Sequence, residues 1–272
     1  MDNRPIGIFD SGVGGLTAVR RLTEAAPSES IVYLGDNLRA PYGDRERGEI
    51  RFLSRRNARF LRSHDIKALI VACNTSTANA LAELTADNAD IPTVGTVGPA
   101  AAEAVRVTAG GRVGIIATTA TIRSGLYERT VKELMPEAEV IARSCPRLVP
   151  LIEAGHIDPG DPALMAALEE DLEPLKAAAV DTVVLGCTHY PLITGAVRAV
   201  MERETALVDS GAACVGEVLR LLAARDGLAR PGTVRTERYF CTGRRGDFTA
   251  VARSFLGRSI EDATREVDVT PY

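Results

Sequence analysis

Short β-branched apolar runs recur along this chain with helical stretches between them, and that alternation restricts the fold more than any other feature. The runs fall at 6–9, 31–34, 68–72, 93–97, 113–116, 139–142, 182–185 and 206–208. Strands separated by roughly 10 to 20 residues of helical pattern do not pair as hairpins, so they form parallel sheets whose faces the helices cover. The fold class is therefore α/β. Beyond Asp209-Ser210-Gly211 a helical stretch runs to Ala224, followed by a Pro231-Gly232 turn, a strand near 238–241 and a short helix over 247–256. That remainder is too short for a third domain and is expected to pack back onto the first half.

An internal echo divides the rest. Ala68-Leu69-Ile70-Val71-Ala72-Cys73-Asn74-Thr75 resembles Thr182-Val183-Val184-Leu185-Gly186-Cys187-Thr188-His189, each an apolar strand that ends in Cys and runs into polar, helix-capping residues. Gly7-Ile8-Phe9-Asp10-Ser11 matches Gly114-Ile115-Ile116-Ala117-Thr118 at a similar offset. Two similar α/β domains are expected, 1–97 plus 210–272 as one and 98–209 as the other. Ligands of open α/β sheets bind outside the carboxyl ends of the strands, so two such halves facing each other bring both thiols to one cleft.

Composition narrows the partners. Of 272 residues 36 are acidic and 32 basic, a net charge of −4, with no Trp. Single-strand binders combine a basic groove with stacking rings, so nucleic acid is not an expected partner. No apolar run approaches the ~18 residues of a membrane span, and the N-terminus lacks the apolar core of a signal peptide. A cytoplasmic protein without membrane contact is expected, its five cysteines kept as thiols. Arg45, Arg47, Arg51, Arg55, Arg56, Arg59 and Arg62 share a stretch in which Ile50, Leu53, Phe60 and Leu61 recur at helical spacing. That pattern reads as an amphipathic helix with a solvated charged face, polyanion contact being the alternative.

Gly12-Val13-Gly14-Gly15 after a strand resembles the opening of a dinucleotide fingerprint, with Asp36 at the end of the next strand. Thr17, however, stands where Gly or Ala should admit close helix packing. A tight turn into a helix whose free N–H groups hold a small anion is more economical. Asp10 and Ser11, at the lip of that strand, face the cleft, unless Asp10 is only a capping or turn residue. Cys73 precedes Asn74-Thr75-Ser76-Thr77, a helix start whose positive end favours the thiolate. Cys187 repeats the arrangement with His189 two residues on. A lone free Cys is usually a small buried hydrophobe, but a matched pair argues for chemistry. Cys145, Cys214 and Cys241 read as packing residues, and His64 and His156 as surface histidines. Cys187 and His189 are too few to hold a metal. Lys67, Lys132 and Lys176 lie in or beside helical stretches away from the cleft, which leaves no Schiff-base lysine for pyridoxal phosphate. No cofactor is expected.

Two thiols on opposite sides of a small ligand form a two-base system, in which one thiolate removes a proton and the other, as thiol, returns one to the opposite face. The result inverts a stereocentre. One Cys must be ionised while the other is protonated, and Asp10, Glu153 and His189 are the candidates for setting that division. Asn74, Thr75, Thr118, Thr121 and Thr188 supply polar groups to hold substrate carboxylates and tolerate carbanion-like charge.

Gly7-Ile8-Phe9-Asp10-Ser11-Gly12-Val13-Gly14-Gly15-Leu16, Pro41-Tyr42-Gly43, Ala72-Cys73-Asn74-Thr75 and Gly186-Cys187-Thr188-His189-Tyr190-Pro191, in that order, resemble the signature segments of the glutamate racemases. These belong to the cofactor-independent aspartate/glutamate racemase superfamily. The resemblance implies two pseudosymmetric, flavodoxin-like α/β domains with the active site at their interface, and the interconversion of L- and D-glutamate, the latter for peptidoglycan. By the same resemblance Cys73 takes the α-proton from D-glutamate and Cys187 from L-glutamate. Asp10 supports Cys73, while His189 and Glu153 act on the Cys187 side. Substrate contacts carry over to Asp10, Ser11, Pro41, Tyr42, Gly43, Asn74, Thr75, Thr118, Thr121, Thr188 and His189. A homodimer and a secondary contact with DNA gyrase, through the basic stretch, are further implications. Asn37 stands where the family pattern has Thr after Gly-Asp. The rival within the class is an aspartate racemase, and His189 speaks against it, since the aspartate-specific relatives tend to carry Glu there.

Overall fold

Among the described residues every paired strand runs parallel to its neighbours, in two separate sheets. The structure, a computed structural model, describes residues 1–201 and 204–272. The first part of the chain reads β1 (Ile6–Asp10), α1 (Leu16–Ala25), β2 (Ile31–Gly35), α2 (Arg47–Arg62), β3 (Ala68–Val71), α3 (Asn74–Asp87) and β4 (Thr93–Gly95). The middle reads α4 (Val97–Val107), β5 (Arg112–Ala117), α5 (Thr119–Arg123), α6 (Leu126–Leu134), β6 (Glu139–Ser144), α7 (Leu148–Glu153), α8 (Pro162–Ala177), β7 (Thr182–Gly186), α9 (Thr194–Val200) and β8 (Ala206–Asp209). The remainder is α10 (Ser210–Ala223), β9 (Glu237–Cys241), α11 (Arg245–Leu256) and β10 (Thr264–Glu266).

The six-stranded sheet has the order β10-β9-β2-β1-β3-β4 and the four-stranded sheet β6-β5-β7-β8. Both contain the same path, in which the first strand lies between the second and the third. That is the doubly wound, flavodoxin-like arrangement, and its ligand crevice opens where the strand order reverses, between first and third strands. In the first sheet those are β1 and β3, paired from Ile6 against Ala68; in the second they are β5 and β7, paired from Val113 against Thr182. The echo in the sequence thus marks equivalent strands, and each thiol of interest follows a third strand.

Two details differ from the sequence reading. The run 93–97 is a strand only to Gly95, because the Thr96 N–H is taken by Thr77 Oγ1 at 3.2 Å instead of a neighbouring strand, and Val97 opens α4. The short β10 was not anticipated: Thr264-Arg265-Glu266 exposes two charged side chains and carries no apolar signal. The strand expected near 238–241 is β9, which adds to β2 and so returns the C-terminal segment to the first sheet. One buried apolar cluster runs through both sheets, from Ile6, Leu16 and Tyr33 to Leu168, Val183 and Tyr190.

The basic helix α2 buries Ile50, Leu53, Phe60 and Leu61, as its periodicity requires. Its charges are largely spent within the fold. Arg51, Arg55 and Arg62 pair with Glu83, Asp87 and Asp90 at 2.9, 2.6 and 2.6 Å, and the buried Arg56 donates to the Val269 carbonyl. Arg47 remains exposed.

Ahead of β3, Lys67 is buried against Glu29 at 2.6 Å and also donates to the Asp2 and Gly227 carbonyls, tying both ends of the first sheet region together. Lys67→Met leaves the Glu29 carboxylate buried without its counter-charge. It is expected to lower the unfolding free energy by about 3 to 5 kcal/mol in urea denaturation. A loss below ~1 kcal/mol would show that the pair contributes nothing beyond packing.

Candidate active site

The two strand-order reversals face one cavity of about 380 Å³, within the usual range for a small-molecule site. From the first sheet come Ser11 after β1 and Cys73, Asn74 and Thr75 after β3; from the second come Thr118 after β5 and Cys187, Thr188 and His189 after β7. Pro41, Tyr42 and Gly43, from the loop after β2, complete one wall, and Glu153 at the end of α7 another. Two of the expected residues stand behind the wall. Asp10 is fully buried at the carboxyl end of β1, and Thr121 backs the cluster of Thr75 and Thr118, whose hydroxyls meet at 2.9 Å.

Cys73 is the N-cap of α3, its sulfur accepting from the Ser76 N–H at 3.4 Å and donating to Ser11 Oγ at 3.6 Å. The helix end acts on it in the expected direction, but burial, joined by the negative Asp10, outweighs it and pushes the thiol up to about 11. The lowering expected from the helix end is thus present at Cys73 but outweighed. Cys187 has different surroundings. It does not cap a long helix, and its sulfur lies 3.8 Å from His189 Nδ1. His189 Nε2 in turn meets Glu153 Oε1 at 2.9 Å. Burial alone would depress the imidazole, but the Cys187 sulfur, Glu153 and the Asp10 charge more than offset this and raise it to about 10. The His189 positive charge thus sits on the Cys187 side.

Asp10 is raised by burial, against the pull of His189 and the N–H groups of Gly12 and Gly15. Those N–H groups belong to the glycine-rich turn, so the anion they hold is the chain's own carboxylate: Gly12 N donates to Asp10 Oδ2 at 3.0 Å. The glycines serve close approach rather than a nucleotide. A Cβ on Gly15 would lie 2.6 Å from Asp10 Cβ, and one on Gly14 would overlap Thr188 Oγ1 and the His189 ring. Thr17, the residue that spoiled the fingerprint, donates to the Thr188 carbonyl at 3.0 Å and clamps α1 to the second sheet. Asp36 likewise binds no ribose; it is buried, accepting from Tyr42 OH at 2.5 Å and from Thr242 Oγ1 at 2.7 Å. Gly14→Ala must push the β7 loop away from α1, and a loss of tenfold or more in kcat is expected, about what a misplacement of under 1 Å produces, with unchanged circular dichroism. Full turnover in that variant would show that the contact is slack.

Cys145 is one of several lining residues the sequence reading did not place at the cavity, with Asp44, Thr119 and Pro146 among the others. It is buried, as a packing residue should be, yet it lines the cavity just after β6. Its place at a strand's carboxyl end was the available signal. Cys214 and Cys241 are buried away from the cavity. His64 is not a simple surface histidine: its ring stacks on Phe240 at 4.9 Å and meets the edge of Phe60 at 4.9 Å. His156 Nδ1 lies 2.7 Å from Asp161 Oδ2 at the start of α8. None of Lys67, Lys132 and Lys176 lines the cavity. Among the described residues no group of three His, Cys, Asp or Glu side chains is arranged to hold a metal, and no helix is long and apolar enough to cross a membrane.

Paired doubly wound sheets that turn their reversal points, each with a cysteine, to one cavity define the class as an amino-acid racemase. A profile described as Asp/Glu/Hydantoin racemase matches residues 10–218, and the chain belongs to that family. It is 41% identical over 261 residues to the glutamate racemase of Streptococcus thermophilus, covering 96% of this chain and 95% of that one. Its structure superposes with TM-score 0.93 on a glutamate racemase isoform of Bacillus anthracis, 34% identical, with 98% of each chain covered. The glutamate racemase of Francisella tularensis, solved with D-glutamate, gives the same TM-score at 30% identity over the whole of both chains. These similarities place the chain with the glutamate racemases of the family.

Proposed function

We propose that this chain interconverts L- and D-glutamate through Cys73 and Cys187, without an external cofactor, in the bacterial cytoplasm, where D-glutamate feeds peptidoglycan. The observation that carries the mechanism is the unequal setting of two thiols on one cavity: Cys73 is buried beside Asp10, and Cys187 lies beside a positively charged His189. That polarity is the one a two-base reaction needs at rest. With L-glutamate, the Cys187 sulfur, its negative charge stabilised by the imidazolium, takes the α-proton. Cys73 gives its own proton to the opposite face, and D-glutamate leaves with the thiol and thiolate exchanged between the two residues. D-glutamate runs the same steps backwards from Cys73, and Asp10 is placed to assist that thiol as base. Glu153 holds the His189 ring. Ser11, Asn74, Thr75, Thr118 and Thr188, with the wall of Pro41, Tyr42 and Gly43, bind the substrate, and Thr121 backs the threonine cluster. Residues 1–97 with 210–272 act as one domain and 98–209 as the other, each bringing one thiol.

The relatives named glutamate racemase support glutamate over aspartate, although one methylene is worth only ~1 to 3 kcal/mol in a pocket. The test is the decay of the circular-dichroism signal of L-glutamate, with L-aspartate in parallel, in D2O without pyridoxal phosphate or metal. Loss of the glutamate signal with α-deuterium uptake is expected. Turnover of aspartate alone would move the substrate to the shorter homologue, and inertness toward both would remove the racemase reading.

A further inference from the structure

Asn74, the neighbour of Cys73, has little of its side chain left for a substrate. Its Oδ1 accepts from Tyr127 OH at 2.6 Å and from Thr96 Oγ1 at 2.9 Å, and its Nδ2 donates to Ser210 Oγ at 3.2 Å. A carboxamide offers two acceptor and two donor positions, so one N–H remains. The three partners have a common character. Thr96 and Ser210 lie in the two segments by which the chain passes from one sheet to the other, between β4 and α4 and at the start of α10, while Tyr127 belongs to α6 beside the second sheet. Ser210 Oγ then donates to the Leu185 carbonyl at 2.8 Å, in β7 two residues before Cys187. All four side chains are buried, and neither Ser210 nor Tyr127 lines the cavity.

We propose that Asn74, Ser210 and the Leu185 carbonyl form a strut, braced by Tyr127 and Thr96, that sets the separation between the two thiol-bearing strand ends. Ser210 and Tyr127 are then positioning residues of the reaction. The inference rests on the racemase reading above. Transfer to opposite faces of one carbon requires both sulfurs within reach at once, and a shift of about 1 Å in such a geometry costs up to ~10²-fold. Of the other links between the halves, Thr75 to Thr118 and the Gly43 carbonyl to Ala120 N at 2.9 Å lie at the cavity itself, where substrate competes for them, while Thr17 Oγ1 to the Thr188 carbonyl at 3.0 Å ties α1 to the Cys187 side without touching the Cys73 strand. The strut stands behind the cavity on the crossing segments. It keeps the spacing fixed whether the cavity is empty or filled.

The test compares Ser210→Ala, Tyr127→Phe and their double variant with Val218→Ala, a buried core truncation on the same helix α10 that touches none of the strut. Steady-state kinetics in both directions, the α-deuterium isotope effect and the thermal midpoint are read for each. Ser210→Ala and Tyr127→Phe are each expected to lower kcat about tenfold, with KM within about twofold and a larger isotope effect, because only the proton transfers depend on the gap. The double variant loses less than the product of the single losses, since both act through Asn74. Val218→Ala lowers the midpoint at least as far and leaves kcat within about twofold. Unchanged kcat in Ser210→Ala and Tyr127→Phe, an equal loss in Val218→Ala, or multiplicative losses in the double variant would each overturn the strut. No turnover by the unaltered chain would remove the racemase reading and the role of the strut with it.

Discussion

Serine in place of Cys73 or of Cys187 lowers kcat about a thousandfold or more in both directions, the scale of a positioned acid–base group. Each sulfur must be a base in one direction and an acid in the other. A hydroxyl at the same position is far too weak an acid to hold a negative charge at neutral pH, so it fails as base in its own direction. In the reverse direction it must reprotonate a carbanion-like carbon in place of a thiol, and the symmetry of the reaction carries the deficit over. The equilibrium constant of a racemisation is unity, so kcat/KM for the two enantiomers must fall by the same factor whichever thiol is removed. Cys73 and Cys187 are both buried, and the change from sulfur to oxygen is nearly isosteric, so thermal midpoints within a few degrees of the unaltered chain are expected. Polarimetry on both enantiomers, with the melting curves beside it, checks the result. Turnover within tenfold of normal in either variant would end the two-thiol mechanism.

Most of the architecture was written in the sequence because its signals are local. Apolar runs such as 68–71 and 182–185 are strands in any context that buries both faces, and parallel pairing follows from the helices between them. What escaped was decided across the chain. The strand β10 is set by its partner β9 rather than by its own residues. The thiols themselves were legible as strand ends, but their ionisation was not. Cys73 sits at a helix N-terminus, which by itself lowers a thiol, and only the three-dimensional packing of Asp10 and the neighbouring strands reverses the outcome. The glycine-rich turn was legible as a tight turn suited to a small anion, but not which groups its glycines approach. Gly14 and Gly15 answer to side chains 174 and 5 residues away in sequence, Thr188 and Asp10, and not to a phosphate. The arginine run of α2 was legible as the charged face of an amphipathic helix, but the pairing of those charges was not, because Glu83, Asp87 and Asp90 lie on and just beyond the next helix.

His189→Asn is expected to lower kcat/KM about a hundredfold at neutral pH, equally for both enantiomers, with KM little changed. The imidazole touches Cys187 through Nδ1 and Glu153 through Nε2, and its raised value of about 10 keeps it cationic through the neutral range. Asparagine preserves a polar group of similar reach but brings no charge, so the Cys187 sulfur must hold its negative charge in a buried site without a counter-ion. Its proton then goes to solvent instead of an imidazole, so the deficit becomes dependent on pH, smaller in alkaline than in neutral solution. In the unaltered chain the profile should be nearly flat on this account, with activity falling only as pH approaches the loss of the His189 proton near 10. The two directions, equal in kcat/KM, separate in the isotope effect. Proton removal by Cys187 becomes the slower step, so the α-deuterium effect grows more for L-glutamate than for D-glutamate. A pH-independent deficit would mean that His189 only fills space, and a larger effect on the D side would place its action on Cys73, through Asp10, rather than on the thiol it touches.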